Sequence, residues 1–392
     1  MKHKLLILCA LALTACTAKA PLSLQVVRSE MARFPEATYL DGQEGKLKWN
    51  YTTGLELKAF LDVYCHSEHS EASLLAYADA WYDAIIDSTG AIYKYKKSNY
   101  SLDHICPGRT LFQLYDLTGK EKYRAAMDTL YLQLQEQPRT PEGGFWHKAA
   151  YPEQMWLDGL YMGQPFYAEY AVRYLPEEEQ TAVFQDIALQ FQTVYDHTLV
   201  PGSGLLRHAW DSSHEMFWCN PETGQSAHAW GRALGWYAMA LVDVIELLPD
   251  GEEKDVLIRI LNRVFDALPL YADASTGMWF QVLDCPYKEG NYLEATCNAM
   301  FVYAMLKGIR LGVIDTVSLE DALQRYQSLL DQFVRVDAEG LVNLDHCCEV
   351  AGLGGKQHRS GDYDYYINEK VRSNDPKGIG PLIWAALEYE RL

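Results

Sequence analysis

The stretch AWGRALGWYAMALVDVIELL, residues 229–248, is apolar on almost every side. It is followed by GEEKDVLIRILNRVFDALPLY, residues 251–271, in which apolar residues return at every third or fourth position. Both spacings predict helices: a helix that is apolar all round is buried, whereas one with a single apolar stripe has a solvent face. A short glycine-led run, TGMWFQV at residues 276–282, comes next. One buried helix, one surface helix and one connecting run therefore form a unit.

This unit recurs along the chain. Glycine-led apolar runs begin 45 to 73 residues apart, at Gly45, Gly90, Gly144, Gly204, Gly277 and Gly340. Further buried helices are predicted over residues 110–117, 296–311 and 381–392. Further surface helices are predicted over residues 121–135, 178–195 and 318–334.

Six helix pairs predict an all-α fold, an (α/α)6 toroid. The alternative is an open helical-repeat solenoid, which is also built from repeated helix pairs. Six repeats and the aromatic content favour a closed ring of helix pairs over the open solenoid. No long linker interrupts the pattern, so residues 21–392 are predicted to form a single domain. The glycine-led runs lie between helices and line one end of such a toroid, where functional residues are expected to gather.

The first twenty residues, MKHKLLILCALALTACTAKA, have the features of an export signal. Lys2 and Lys4 precede an apolar run that is too short to span a bilayer. The run ends in LTAC, which resembles the lipobox of bacterial lipoproteins and makes Cys16 the predicted site of lipidation. The alternative is a plain signal peptide cut near Ala20. Either interpretation predicts an exported protein, periplasmic or at the cell surface. Only lipidation at Cys16 would attach it to a membrane.

The composition narrows the classes of ligand. A net charge of −19 argues against nucleic acid, which requires a basic face. An anionic ligand would need a local group of basic side chains. Ten tryptophans and 27 tyrosines suit stacking on sugars, although such rings are more often core residues. None of the nine cysteines has a spacing typical of a zinc site, so neither a metal nor another cofactor is predicted.

Four segments next to the glycine-led runs contain candidate functional residues: Asp103 in SLDHICPG, His147 and Asp158 in GGFWHKAAYPEQMWLDG, His208 in GLLRHAWD, and Trp230, Arg232 and Trp236 in HAWGRALGW. Each also has a structural interpretation. An aspartate before a turn can cap a helix, histidines at a rim can be satisfied locally, and tryptophans six residues apart can both be core.

Arg232 and Asp158 are harder to explain structurally. A guanidinium is always charged, so burying Arg232 in an apolar helix requires a carboxylate partner or an anionic ligand. Asp158 lies among Trp156, Tyr161 and Met162. Two carboxylates near one ligand, one of them in apolar surroundings, form a general acid–base arrangement. Asp158 fits the proton donor and Asp103 the neighbouring carboxylate.

The chain resembles glycoside hydrolase family 105, the unsaturated rhamnogalacturonyl hydrolases. The similar segments are WNYTTGLEL, SLDHICPG, LTGKEKY, QMWLDGLYMGQPF, HAWGRALGW, GNYLEATCNAMFVYAMLKGIRLG and the tail GDYDYYINEKVRSNDPKGIGPLIWA. They follow the family's order from about Trp49 to the C-terminus. Family 88, the unsaturated glucuronyl hydrolases, shares the fold and the acid–base pattern.

The resemblance implies removal of a 4,5-unsaturated uronate, galacturonate or, as the alternative, glucuronate by the same mechanism, from the non-reducing end of oligosaccharides left by polysaccharide lyases. By match, Asp158 protonates C4 and activates the water that adds at C5, and Asp103 stays near the sugar hydroxyls and the water. The matched substrate-binding positions are Asn50, Tyr51, His147, His208, Trp230, Arg232 and Trp236. The rival hypotheses are a polysaccharide lyase on a similar toroid and a non-catalytic lipoprotein that captures glycans.

Overall fold

The computed structural model describes residues 20–42, 44–69 and 71–392. Its helices are α1 (Leu22–Arg33), α2 (Tyr51–His66), α3 (Ala72–Ile85), α4 (Gly108–Thr118), α5 (Glu121–Gln135), α6 (Leu157–Tyr174), α7 (Glu177–Thr198), α8 (Gly231–Leu247), α9 (Glu252–Ala267), α10 (Ala295–Arg310), α11 (Leu319–Phe333), α12 (Tyr363–Asn368) and α13 (Pro376–Glu390). Its strands are β1 (Gln154–Trp156), β2 (Ala209–Asp211), β3 (Val334–Val336), β4 (Val342–Leu344), β5 (Cys347–Cys348) and β6 (Val371–Arg372). The strands pair antiparallel as β1–β2, β3–β4 and β5–β6.

Six helices form a closed inner ring. Helices α2, α4, α6, α8, α10 and α13 each contact the next, and α13 packs against α2. Outside this ring, α3, α5, α7, α9 and α11 each pack on the preceding inner helix, and α1 packs on α13. The (α/α)6 toroid predicted from the sequence is confirmed, and the contact between α13 and α2 excludes the open solenoid.

The two ends of the described chain build the sixth helix pair. The Ser23 backbone N–H donates to the Glu390 carboxylate at 2.9 Å, which ties α1 to the end of α13. The sequence prediction began the last inner helix at residue 381, which is wrong because α13 begins at Pro376. Proline suits a first helical turn, and the Asp375 carboxylate caps the helix by accepting from the Lys377 N–H at 3.0 Å.

Burial follows the predicted difference between inner and outer helices. In α8 every residue from Gly231 to Ile245 is buried, whereas α9 buries a stripe that includes Leu257, Leu261 and Val264. The loops before the inner helices are joined by backbone hydrogen bonds, from Leu157 N–H to the His208 carbonyl and from His208 N–H to the His228 carbonyl, each 3.1 Å long. These bonds fix the segments that carry the candidate residues against one another.

Close packing of α2 against the start of α4 makes Gly54→Ala a sensitive test of the ring. A methyl group at Gly54 would lie 2.6 Å from both Cα and Cβ of Pro107, and a backbone atom cannot swing aside. We expect a loss of roughly 1–3 kcal/mol in the free energy of unfolding, measured by chemical denaturation. Gly251→Ala is the control, since the nearest atom to its methyl group is 3.7 Å away. Equal stability of the two variants would contradict this packing.

Candidate active site

Strand pairing sets Asp158 opposite His208. Trp156 in β1 pairs with Ala209 in β2, and α6 begins directly after β1. Asp158 therefore lies in the first turn of α6, where the helix dipole favours a negative charge. Its side chain is 14% exposed, and its Oδ2 lies 3.2 Å from the buried Nε2 of His208. The pair lacks the angles of a hydrogen bond, so the Asp158 carboxylate is close to His208 but not locked to it.

His208 is a buried, neutral imidazole. Burial lowers its pKa below the ordinary value, and the nearby Asp158 carboxylate only partly offsets this. Its Nδ1 lies 2.7 Å from the Tyr366 hydroxyl. Burial raises the pKa of Tyr366 well above its ordinary value, so this hydroxyl keeps its proton. When Tyr366 donates to Nδ1, the single ring proton of neutral His208 lies on Nε2, facing Asp158.

Asp103 is an ionised carboxylate held between two basic side chains. Lys148 Nζ lies 2.8 Å from Oδ2, and His147 Nε2 lies 3.3 Å from Oδ1. Burial by itself would raise the pKa of Asp103, but Lys148 and His147 outweigh it and lower the pKa well below its ordinary value. Asp103 thus remains a hydrogen-bond acceptor at neutral pH.

An aromatic wall joins the two acidic groups. The Trp156 ring stacks on His147 with ring centroids 4.7 Å apart and planes 6° apart. Its other stacked neighbour is Tyr151, at 5.1 Å, and its edge meets His208 at 5.3 Å. A rigid stack of this kind fixes the orientation of both histidines and keeps water from the apolar side of the site.

Arg232 is a buried cation beside this wall. Its side chain is 1% exposed, and the guanidinium lies 4.6 Å from the centroid of the Trp230 ring, which in turn contacts His208 at 4.7 Å. It donates to the Cys348 carbonyl, but its Nε has no hydrogen-bond partner. Across the described residues no carboxylate pairs with Arg232 within 4.0 Å. A buried guanidinium without an ion pair is suited to an anionic ligand.

The remaining predicted positions differ in what they can offer a ligand. Tyr51 contacts Trp236 edge-on at 6.4 Å, and its pKa is raised by burial and by the carboxylates of Asp103 and Asp158, so it is a donor. Asn50 lines a cavity with Tyr51 and Asp103, but its Oδ1 caps α2 by accepting from Thr53 N–H at 2.8 Å. Trp230 and Trp236 are each 1% exposed. Direct contact of these two rings with a substrate stays a prediction.

Three residues that complete these contacts were not singled out from the sequence: Lys148, Tyr151 and Tyr366. Trp156 was named there only as part of the apolar surroundings of Asp158. Lys148 adjoins His147 in the quoted run GGFWHK, so its position was a usable signal. Tyr366 lies 158 residues beyond His208, and no local pattern could have paired them.

A group of possible metal ligands lies outside these contacts. The ligand atoms of His228, Asp284 and Cys285 fall within 4.8 Å of one another, the one such group of three or more among the residues with a described structure. The sequence spacing gave no sign of it, because His228 and Asp284 are far apart in the chain. Arg207 already pairs with the Asp284 carboxylate, which lowers its affinity for a cation.

Comparison with known proteins identifies the family. Residues 22–392 match the family described as Glycosyl Hydrolase Family 88. The chain belongs to this family. It is 42% identical to a family 105 glycoside hydrolase from C. acetobutylicum ATCC 824, with a TM-score of 0.88 over 94% of this chain and 99% of that one. This family 88 chain is therefore a glycoside hydrolase, and the resemblance found in the sequence is confirmed.

Two further relatives cover part of the family 88 chain. Protein Atu3128 of Agrobacterium fabrum is 37% identical over 233 residues, which is 58% of this chain and 97% of that protein. Unsaturated rhamnogalacturonyl hydrolase YesR of Bacillus subtilis is 28% identical over 218 residues, 54% of this chain and 59% of that enzyme.

Proposed function

We propose that this glycoside hydrolase removes a 4,5-unsaturated uronate, preferably galacturonate, from the non-reducing end of lyase-generated oligosaccharides such as those of rhamnogalacturonan. The observation that carries the proposal is Arg232, a buried cation that has no carboxylate within 4.0 Å among the described residues and an Nε without a hydrogen-bond partner, while Glu294 and Asp375 act on it only from a greater distance. A uronate carboxylate would supply the missing anion, within reach of the wall that holds His208 and Asp158. The name of one relative, the unsaturated rhamnogalacturonyl hydrolase YesR, agrees with this choice.

In the proposed reaction, Asp158 donates its proton to C4 of the unsaturated sugar. The C4–C5 double bond is consumed, and positive charge develops at C5 and the ring oxygen. Asp158, now a carboxylate, accepts a proton from the water whose oxygen bonds to C5, so its protonation state is restored. The resulting hemiketal opens, and the bond to the neighbouring sugar breaks with release of that sugar. Asp103, held ionised, accepts hydrogen bonds from sugar hydroxyls and from the water.

The direct test uses the chromophore of the substrate. Purified protein is mixed with an unsaturated galacturonyl-rhamnose disaccharide, and the ultraviolet absorbance of the conjugated enoate is followed together with free rhamnose. Loss of absorbance in step with rhamnose release is expected. Decay only with a disaccharide whose unsaturated uronate derives from glucuronate would keep the reaction and change the linkage and the leaving sugar, because the C4–C5 double bond removes the stereocentre at C4 that distinguishes the two uronates. A rise in absorbance on intact polysaccharide would indicate a lyase, and binding without any turnover would indicate a glycan-capture protein.

Replacing the buried cation is expected to weaken substrate binding. Arg232→Met keeps most of the side-chain length and removes the charge, so we expect KM to rise about 10- to 100-fold, the contribution of charge-assisted hydrogen bonds. Arg232→Lys should restore only part of this, since an ammonium cannot form paired bonds with a carboxylate. The control is Arg263→Met on the outer helix α9, where KM should not change. Unchanged KM in Arg232→Met would remove the guanidinium from the binding site.

Export and lipidation at Cys16 are part of the same proposal, although Cys16 lies outside the described residues. Over those residues, no helix combines the length and apolar character needed to cross a membrane. Mass spectrometry of the mature N-terminus from a bacterial host should find a lipid on Cys16, and Cys16→Ala should release the protein in unlipidated form. A mature chain beginning near Ala20 would instead support a plain signal peptide.

A further inference from the structure

A groove leads away from the candidate active site along the loop before α2. A cavity of about 230 Å³ is lined by Tyr51 and Asp103, and a second one of about 490 Å³ shares Lys48, Trp49 and His104 with it. A third, of about 400 Å³, shares Lys46, Tyr93 and Lys94 with the second. We call the second and third cavities the lysine groove. Through the residues it shares with the first cavity, the lysine groove adjoins the side of the candidate site that holds Tyr51 and Asp103.

The lysine groove is positively charged in an acidic protein. Among the residues with a described structure, it is lined by Lys46, Lys48 and Lys94 and by no carboxylate. Within the same part of the chain, none of these lysines forms an ion pair within 4.0 Å. Lysines elsewhere do form such pairs, as Lys58 does with Asp62 at 2.6 Å. Three unpaired cations in a chain with a net charge of −19 create a local field that attracts anions.

The groove also offers a ring suited to sugars. Tyr93 is 49% exposed, and the Lys94 ammonium lies 4.8 Å from the centre of its ring. Lys94 adopts a φ of 59°, a left-handed conformation that is uncommon for a long side chain and places it beside Tyr93 at the turn. An exposed aromatic ring with a cation beside it and no carboxylate paired to that cation fits a pyranose ring that carries a carboxylate.

We propose that the lysine groove binds a second uronate, farther along the oligosaccharide than the sugar that is released. The inference rests on the proposed function and extends it: the preferred substrates are acidic oligosaccharides longer than a disaccharide. The buried site takes the terminal unsaturated uronate, and the groove holds the carboxylate of the later sugar by charge and its ring by contact with Tyr93.

The test compares two substrates on the whole protein. One is the unsaturated galacturonyl-rhamnose disaccharide, which ends before the groove; the other is a tetrasaccharide whose third sugar is a second galacturonate. The double variant Lys46→Ala/Lys94→Ala should lower kcat/KM on the tetrasaccharide about 3- to 10-fold, the range expected for two exposed charge pairs, and leave the disaccharide within twofold. Raised salt should lower the tetrasaccharide rate of the unmodified protein in the same way.

Controls separate the groove from the proposed function. Lys254→Ala removes a lysine of α9 that is paired with Asp250, and it should leave kcat/KM unchanged on both substrates. In the unmodified protein, a tetrasaccharide whose second carboxylate is methyl-esterified should have a kcat/KM no higher than that of the disaccharide. The groove proposal would be wrong, and the proposed function unaffected, if the unmodified protein had the same kcat/KM on both substrates. The same holds if the double variant lost kcat/KM equally on the disaccharide and the tetrasaccharide. If neither substrate is turned over, the proposed function fails. Binding of the tetrasaccharide, measured by calorimetry, then tests the groove by itself. If the double variant binds the tetrasaccharide as tightly as the unmodified protein does, the groove proposal is wrong.

Discussion

Asp158→Asn is expected to abolish nearly all hydrolysis, with kcat falling toward the upper end of the roughly 10²- to 10⁴-fold range of general acid–base catalysis. The amide has the size of the carboxyl group but cannot give a proton to carbon or accept one from water. In the proposed reaction Asp158 performs both transfers, so a single change removes two steps. KM should change little, because the proposed contacts with the uronate carboxylate belong to Arg232. Initial rates from enoate absorbance provide the measurement.

The Asp158 variant is informative because its surroundings tolerate the change. An asparagine oxygen can still face the His208 Nε2, which lies 3.2 Å from the carboxylate, and asparagine is accepted in a first helical turn. Asp331→Asn, on the exposed face of the outer helix α11, is the matched control and should retain full activity. If Asp158→Asn keeps more than a tenth of the rate while unfolding at an unchanged temperature, another group must protonate the substrate, and the lyase and capture hypotheses regain weight.

The helices of this chain are encoded locally, which explains how well they could be predicted. The helix predicted over residues 229–248 is α8, Gly231–Leu247, so its two ends differ by two residues and one residue. The helix predicted over residues 121–135 has the same bounds as α5, Glu121–Gln135. Both depend on apolar spacing within one segment. Helix α1 was missed, because its apolar side is explained only by its contact with α13, more than 300 residues away in the chain.

The candidate site was also predictable only as far as the signal lies within one segment of the chain. Asp158 and Arg232 could be singled out because a charge in an apolar helix is conspicuous within its own segment. The sequence could not show which charges are compensated. Asp103 could be interpreted as a turn residue, yet its partner Lys148 lies 45 residues away, and only the folded chain brings them to 2.8 Å. Asn50 matched a substrate-binding position, while its Oδ1 is occupied by capping α2.

Asp103→Asn is expected to lower kcat about 10²- to 10³-fold, the range for losing one preorganised hydrogen-bonding group. The loss is smaller than in Asp158→Asn, because no proton of the reaction passes through Asp103. The change removes a negative charge between Lys148 and His147, which lie 2.8 Å and 3.3 Å from its oxygens. Lys148 would then lose its ion pair and turn toward the substrate or the solvent. The carboxylate that holds the sugar hydroxyls and the water is lost at the same time, so both kcat and KM should change.

The pH dependence of stability separates the electrostatic role of Asp103 from a purely steric one. Its pKa in the folded protein is lowered well below the ordinary value by Lys148 and His147, against the effect of burial. A lowered carboxyl pKa stabilises the fold fully above the ordinary aspartate value of about 4, and this stabilisation is lost as the pH falls toward the folded-state pKa. The stability difference between the unmodified protein and Asp103→Asn, measured by denaturation, should therefore be constant from pH 5 to about 8. It should shrink below about pH 4. A difference that persists undiminished in acid would mean that the asparagine disturbs packing, and the kinetic loss could not then be attributed to the missing charge.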